Sequence, residues 1–217
     1  MVPSTTTRET RKMKLIEAKE IAGTLSNTSK MPCKSTSTSA FDCITGSKLS
    51  KIKGSVCDGC YARKGFYRFK NVRASLDKRL KGITHPDWVL AMTTLIGDDQ
   101  YFRWHDSGDI QSLEHLERIC EVARATPNCK HWLPTKEKAM LKAFIRNGGA
   151  IPNNLVVRLS GAMIDGKPPE SYKHTSTVHA VTEGHGHICP AYKQNGECAD
   201  CRACWNSNVH NVSYPKH

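Results

Sequence analysis

YFRWHDSGDIQSLEHLERICEVARATPNCKHWLPT, residues 101–135, reads as strand, turn, helix, turn, strand. YFRWH (101–105) is brief and aromatic, which suits a strand, and it empties into Asp106-Ser107-Gly108-Asp109. Leu113, Leu116, Cys120 and Ala123 then recur at helical spacing from a start near Ser112, and Pro127 stops the run after Ala125. KHWLPT (130–135) is the next strand. Downstream the grammar repeats: Thr135 is placed to cap a helix that reaches about Asn147 and closes at Gly148-Gly149. NLVVRLS (154–160) is the clearest strand in the chain, and TSTVHAV (175–181) is another. Strands alternating with helices of about ten residues or more predict a mostly parallel sheet with right-handed crossovers. The expected fold class is therefore α/β, either a partial (β/α) barrel or an open sheet.

Upstream, Phe69, Val72, Leu76 and Leu80 repeat at helical spacing, so a helix is expected from about Phe66 to Lys81 with Phe69 in the core and Gly82 closing it. Thr84-His85-Pro86-Asp87 has the form of an N-terminal cap with Pro86 in the first turn of a helix that Gly97 ends. In α/β folds, ligand-binding groups gather at the carboxyl ends of the strands. Here those ends are residues 105–109, Pro134-Thr135-Lys136, Ser160-Gly161 and Thr182-Glu183.

The 217 residues suit one full-sized domain, placed at 33–217, behind a polar leader at 1–32 that has basic residues but no continuous apolar stretch of the secretory kind. No apolar run approaches the roughly 20 residues of a membrane helix, so no membrane partner is expected and the cytoplasm is the expected compartment. Ten cysteines are many for that compartment, where thiols stay reduced and clustered cysteines signal metal more than cross-links. Cys120 and Cys129 stand apart and read as small core hydrophobes.

The other eight form two segments. Cys189, Cys198, Cys201 and Cys204, within 185–205, have the spacing C-x8-C-x2-C-x2-C, in which Gly196 can return the chain so that Cys189 completes a four-thiolate set. Four thiolates satisfy tetrahedral zinc or one cuboidal cluster. Zinc ribbons favour two separated C-x2-C pairs, whereas the compact run here favours [4Fe-4S]. Within 33–62, Cys43, Cys57 and Cys60 form a second set, with Cys33 as an optional fourth member. Three cysteines would leave one iron of a cubane open to substrate, and four would close it. Spacing also permits Cys57-Cys60 to join Cys201-Cys204 in one site tying the chain ends together.

Lys48–Lys81 carries eleven Lys or Arg against two acids, three quarters of the formal net charge of +12. Such a concentration suits nucleic acid or an anionic small molecule, or else a solvated helix face. Phe66 and Tyr67 with Arg63, Lys64, Arg68 and Lys70 form a candidate stacking and phosphate-contact surface. Arg103, His105, Asp106 and Asp109 crowd one strand end, where His and Asp together can do acid–base work or the Asp can cap a helix. Lys136, Arg158 and Ser160 would complete an anion-binding rim, with Arg158 alternatively an exposed position of an alternating strand. His174, His179, His185 and His187 precede Cys189; His-x-His beside cysteines can replace a sulfur ligand or simply line the loop.

A cysteine loop ending in C-x2-C-Tyr-Ala, followed by βα units, resembles the radical-SAM superfamily and a related group of phage-encoded proteins that share its barrel. Cys43, Cys57, Cys60, Tyr61 and Ala62 match the phage group's loop in order, and the tail CPAYKQNGECADCRACW is similar to the closing cysteine segment of one such group. The resemblance implies an iron–sulfur protein with one or two [4Fe-4S] clusters across residues 33–205. It also implies that the Ser107-Gly108-Asp109 turn holds the methionine amino group of SAM. The superfamily's usual loop is C-x3-C-x2-C, whereas this one is C-x13-C-x2-C. The expected function is redox or radical chemistry on an anionic or nucleic-acid-related substrate in a phage-infected host cell. The alternative is a non-enzymatic zinc- or cluster-stabilised module that docks on nucleic acid or a host protein.

Overall fold

The computed structural model describes residues 12–181 and 183–216. Its centre is an eight-stranded, mostly parallel sheet: β1 (Ser26–Asn27), β2 (Lys34–Ser35), β3 (Tyr101–Arg103), β4 (Lys130–Thr135), β5 (Leu155–Ile164), β6 (Thr175–His179), β7 (His187–Ile188) and β8 (Asn211–Pro215). The strand order is β1-β2-β3-β4-β5-β6-β8-β7, and only the β1–β2 pair is antiparallel. The helices are α1 (Leu15–Ala22), α2 (Ile44–Leu49), α3 (Lys70–Gly82), α4 (Trp88–Ile96), α5 (Leu113–Ala125) and α6 (Lys138–Arg146). No helix among the described residues is long and apolar enough to cross a membrane.

Strand alternation sends successive side chains to opposite faces of the sheet, and the two faces are covered differently. Phe102, Trp104, Leu133, Leu155 and Val157 join the main core with Ala18 of α1, Met92 of α4, Leu116 and Ile119 of α5 and Leu141 of α6. Tyr101, Trp132 and Tyr214 instead join Cys33, Cys204 and Trp205 in a smaller aromatic and sulfur-rich cluster. Helices therefore pack one face, and the cysteine-bearing tail packs the other.

Several expectations are met. Ser112 caps α5, its Oγ accepting from the His115 amide at 3.0 Å, and Cys120 is fully buried in the core together with Cys129. Others are corrected. The segment read as a polar leader contributes α1 and β1, because Ala18 and Ala22 bury against the core while the polar side chains of α1 face outward. Residues 1–11 of that segment lie outside the described residues. The basic helix begins at Lys70, after a 3₁₀ turn at Gly65–Arg68, so Phe69 falls at its N-cap and is 55% exposed instead of buried. Pro86 precedes the N-cap Asp87 of α4, and α6 starts after Glu137, whose amide donates to Thr135 Oγ1 at 3.0 Å. Strand β5 runs on to Ile164 through an irregularity after Ser160, and β6 ends at His179, so Glu183 lies beyond it and Thr182 outside the described residues.

Gly108 shows how tightly the β3–α5 turn is drawn in. Its φ is 82°, and an added Cβ would stand 2.8 Å from the Thr38 carbonyl oxygen and still closer to the Thr38 hydroxyl. Gly108→Ala combines left-handed strain of about 1–2 kcal/mol with overpacking of about 1–3 kcal/mol. Urea denaturation should show a loss of about 2–4 kcal/mol; a midpoint equal to wild type would mean the turn can relax.

Candidate metal centre

The loop between β2 and α3 crosses the carboxyl ends of β3, β4 and β5. It is stitched to β5 by an antiparallel bridge between Ser55 and Met163, with Val56 N donating to Ala162 O at 2.8 Å and Ile164 N to Gly54 O at 3.0 Å. Within it, Cys43 is the N-cap of α2, and Cys57 and Cys60 flank a turn in which Gly59 has φ 76°. A Cβ on Gly46 would lie 3.6 Å from both Cys43 Sγ and Cys57 Sγ, so the two sulfurs are within twice that distance of each other. Burial pushes the Cys43 thiol up to about 12, with Asp109, Cys60, Cys57 and Glu137 acting in the same direction. Burial likewise raises Cys57, while Lys136 opposes it and Cys60 adds to it. Cys43 and Cys57 placed this way resist ionising together, and a bound cation would relieve the repulsion.

Charged groups surround the three. Lys136 projects Nζ onto Gly161 O at 3.0 Å; burial lowers its pKa, while Cys57, Asp109, Cys43 and Cys60 favour its charge. Asp109 is nearly buried: Oδ1 accepts from Thr135 Oγ1 at 2.6 Å and from its neighbour Ile110 N at 2.8 Å, and Oδ2 accepts from Lys136 N at 2.8 Å. Burial outweighs those bonds and lifts its carboxyl to about 6. These bonds clamp the turn after β3 to the end of β4. Ser107 Oγ donates to Thr38 O at 2.8 Å. Glu137, which sequence reading missed, accepts from Thr45 N and Thr45 Oγ1, both at 2.8 Å, and ties α2 to the start of α6. An acid just after a strand end was the available signal, and it does not identify Thr45 as the partner.

His105 is buried, with φ 58° and its ring 5.4 Å from that of His115. Burial and Arg103 push its pKa down to about 3, so it is neutral at pH 7 and the titration near neutrality expected of an ordinary imidazole is absent. Asp106 accepts from the Tyr61 hydroxyl on its carbonyl at 2.5 Å. Ser160 Oγ pairs with Ser176 Oγ at 3.0 Å.

The second group lies on the face opposite the helices. Cys189 follows β7, its amide donating to Ser213 O at 2.9 Å; Cys198 N donates to Lys30 O, and Cys201 N to Cys198 O, also at 2.9 Å. Cys201 Sγ stands 3.4 Å from His187 Nε2, and Cys204 Sγ 3.2 Å from the Tyr214 hydroxyl. Burial raises all of Cys189, Cys198 and Cys204, the last to about 12. Cys33 belongs here: it packs with Trp132, Trp205 and Cys204, and its thiol is pushed up to about 12 by burial, with Cys198 adding and Arg103 opposing. The structure thus sorts the eight cysteines as Cys43, Cys57 and Cys60 in one group and Cys33, Cys189, Cys198, Cys201 and Cys204 in the other. His174 and His179 are engaged elsewhere, with Ser207 O at 2.9 Å and Ser213 Oγ at 2.8 Å, and the His185 carbonyl accepts from Asn211.

Arg158 is neither an anion-binding rim residue nor an exposed strand position. It is fully buried in β5, and its guanidinium donates to Ala203 O and Val209 O at 2.9 Å, Cys204 O and Asn206 O at 3.0 Å, Thr175 O at 3.3 Å and His210 O at 3.4 Å. Strand alternation alone could not reveal that a folded-back tail covers this position. Nearby, Arg103 lies over the Trp132 ring at 4.6 Å and donates to Met31 Sδ at 3.3 Å. Its charge acts on Cys33, Cys198 and Cys204 on one side and on Tyr61, next to Cys60, on the other.

Among the described residues, no three His, Cys, Asp or Glu side chains stand in single-ion geometry. Zinc with sulfur bonds of about 2.3 Å would draw its ligands to within about 4 Å of one another. A family model described as gene product 88 matches residues 4–207. The chain belongs to the gene product 88 family. This is a phage-type family, and the gene product 88 match spans both cysteine groups. No curated protein and no solved structure matches the chain. In this gene product 88 protein, Arg158→Met would strand buried carbonyls and loosen the tail. Urea denaturation is expected to show a loss of about 3 kcal/mol or more, with Arg158→Lys in between. Unchanged stability and unchanged protease resistance of residues 189–210 would refute this role.

Proposed function

We infer that this phage protein is an iron–sulfur protein with two centres. Cys43, Cys57 and Cys60 would hold a cubane with one iron free of protein ligands at the carboxyl ends of β3–β5. The C-terminal group would hold a second, fully ligated cluster. The observation that carries this reading is the departure of Cys33 to the C-terminal group, which leaves three thiols, not four, beside Lys136 at the strand ends. The chain-order progression of β2 to β6, with helices packed on one face, supports a partial barrel as the scaffold.

A bound cluster supplies one-electron chemistry and an open coordination position. The chain's own contribution is charge and shape. Lys136 and Arg63 offset the negative charge of the thiolates and favour an anionic substrate. Asp109 and Glu137 hold the strand ends and α2 in register under the centre. A second reading, a non-enzymatic module in which metal only ties down the tail, is favoured by the backbone-directed bonding of Arg158.

Anaerobic purification followed by iron, acid-labile sulfide and zinc analysis tests the assignment. Brown protein with matched iron and sulfide is expected, and a colourless product with stoichiometric zinc would overturn it. Cys57→Ser should remove the iron of the first centre alone, whereas Cys198→Ser and Cys33→Ser should both perturb the second. A Cys33→Ser protein that loses the electron paramagnetic resonance signal assigned to the Cys57 centre would reverse the grouping.

A further inference from the structure

The 3₁₀ turns Tyr61–Arg63 and Gly65–Arg68 and the start of α3 form a surface that the sheet and core do not cover. Phe66 is 77% exposed and Phe69 55%, and their rings meet edge to face at 5.3 Å. Tyr61, 63% exposed, meets Tyr67 in the same way at 5.8 Å. Single exposed apolar side chains are ordinary, but two adjoining aromatic pairs on one short segment form a patch that marks a binding surface.

Cations surround these rings. Lys64, Arg68, Lys70 and Arg73 are exposed on the same segment, and Arg63 lies over the Phe41 ring at 4.7 Å. The two acids of the basic stretch are far outnumbered by its eleven Lys and Arg. Asp58 accepts from Gly54 N at 3.1 Å, and Asp77 lines a cavity of about 130 Å³ together with Asp42, Arg73, Phe41 and Tyr67. Flat hydrophobic rings set among fixed positive charges match a ligand with exposed π-faces and a regular anionic backbone. An acidic peptide would use the charges and leave the rings without specific partners, and a lipid surface, which could take up both, is told apart by the vesicle competition below. A duplex keeps its bases stacked on each other, so it would meet only the cations.

We propose that this surface binds single-stranded nucleic acid, with bases stacked on Phe66, Phe69 and Tyr61 and phosphates paired with Lys64, Arg68 and Lys70. Because Tyr61 follows Cys60, a strand laid here passes the mouth of the three-cysteine centre. Only that last step rests on the iron–sulfur reading; strand binding does not.

The test is fluorescence anisotropy on the full-length metal-containing protein, with short oligo-dT, oligo-U and duplex probes at several salt concentrations and iron measured in the same sample. Single strands should bind more tightly than duplex, with log K falling linearly in log salt. The oligo-dT and oligo-U arms tell DNA from RNA. Phe66→Ala with Phe69→Ala should weaken single-strand binding by about tenfold or more while leaving the salt slope alone. Lys64→Glu with Arg68→Glu should flatten the slope. Both pairs are exposed, so the denaturation midpoint should stay at the wild-type value. Equal affinity for duplex, or full affinity in the Phe66/Phe69 variant, overturns the proposal. Displacement of the strand by anionic vesicles at equal charge concentration would overturn it in favour of a lipid surface. Iron without strand binding refutes this proposal alone, whereas strand binding without iron refutes only the metal assignment.

Discussion

The arrangement of this protein depends on one buried guanidinium. Arg158 sits in the middle of β5 and faces away from the helices, where an arginine without partners would carry a desolvation cost of several kcal/mol. Six backbone carbonyls, from Thr175 and from residues 203–210, meet it. Five of the six belong to a segment with little regular structure, which would otherwise bury unsatisfied acceptors. Charge and chain therefore satisfy each other. The Trp205 indole, donating to Phe102 O at 2.9 Å, adds a second pin between tail and sheet.

From that anchoring follows the division of the sulfurs. The tail can reach Cys33 only because Arg158 and Trp205 hold it against β3, β4 and β5, and Cys33 enters the aromatic cluster just before β2 begins. Cys43, Cys57 and Cys60 are left to a different boundary of the sheet, beside Lys136 and Asp109. Arg103 carries its charge to the C-terminal group and to Tyr61 beside the other, and its half-buried side chain is stacked on Trp132. The gene product 88 family membership sets no chemistry of its own.

The regular elements were legible because local periodicity controls them: β4 falls at 130–135 as read, and α5 begins after Ser112. That the cysteines fall in two stretches of the chain was also legible. Which cysteine goes where was not, since Cys33 is fixed by contacts with residues at the far end of the chain. Arg158 was misread for the same reason: a strand position is exposed only if nothing returns to cover it. Phe69 failed differently. Its helical spacing with Val72 and Leu76 is real, but a 3₁₀ turn ends beside it and swings the ring outward before the helix begins. Glu137 and Thr45 pair across the fold, which no short-range pattern encodes.

The joining of Cys33 to Cys189, Cys198, Cys201 and Cys204 bears on the timing of assembly. Contacts between opposite ends of a chain carry a large closure entropy and form late in folding. On a ribosome, Cys33 emerges long before residues 189–204 and waits as an unshared thiol until they follow. The gathering of that group is then a late event, over a sheet already begun. The other three cysteines emerge together, so their pocket can gather as soon as β5 is available to receive the loop.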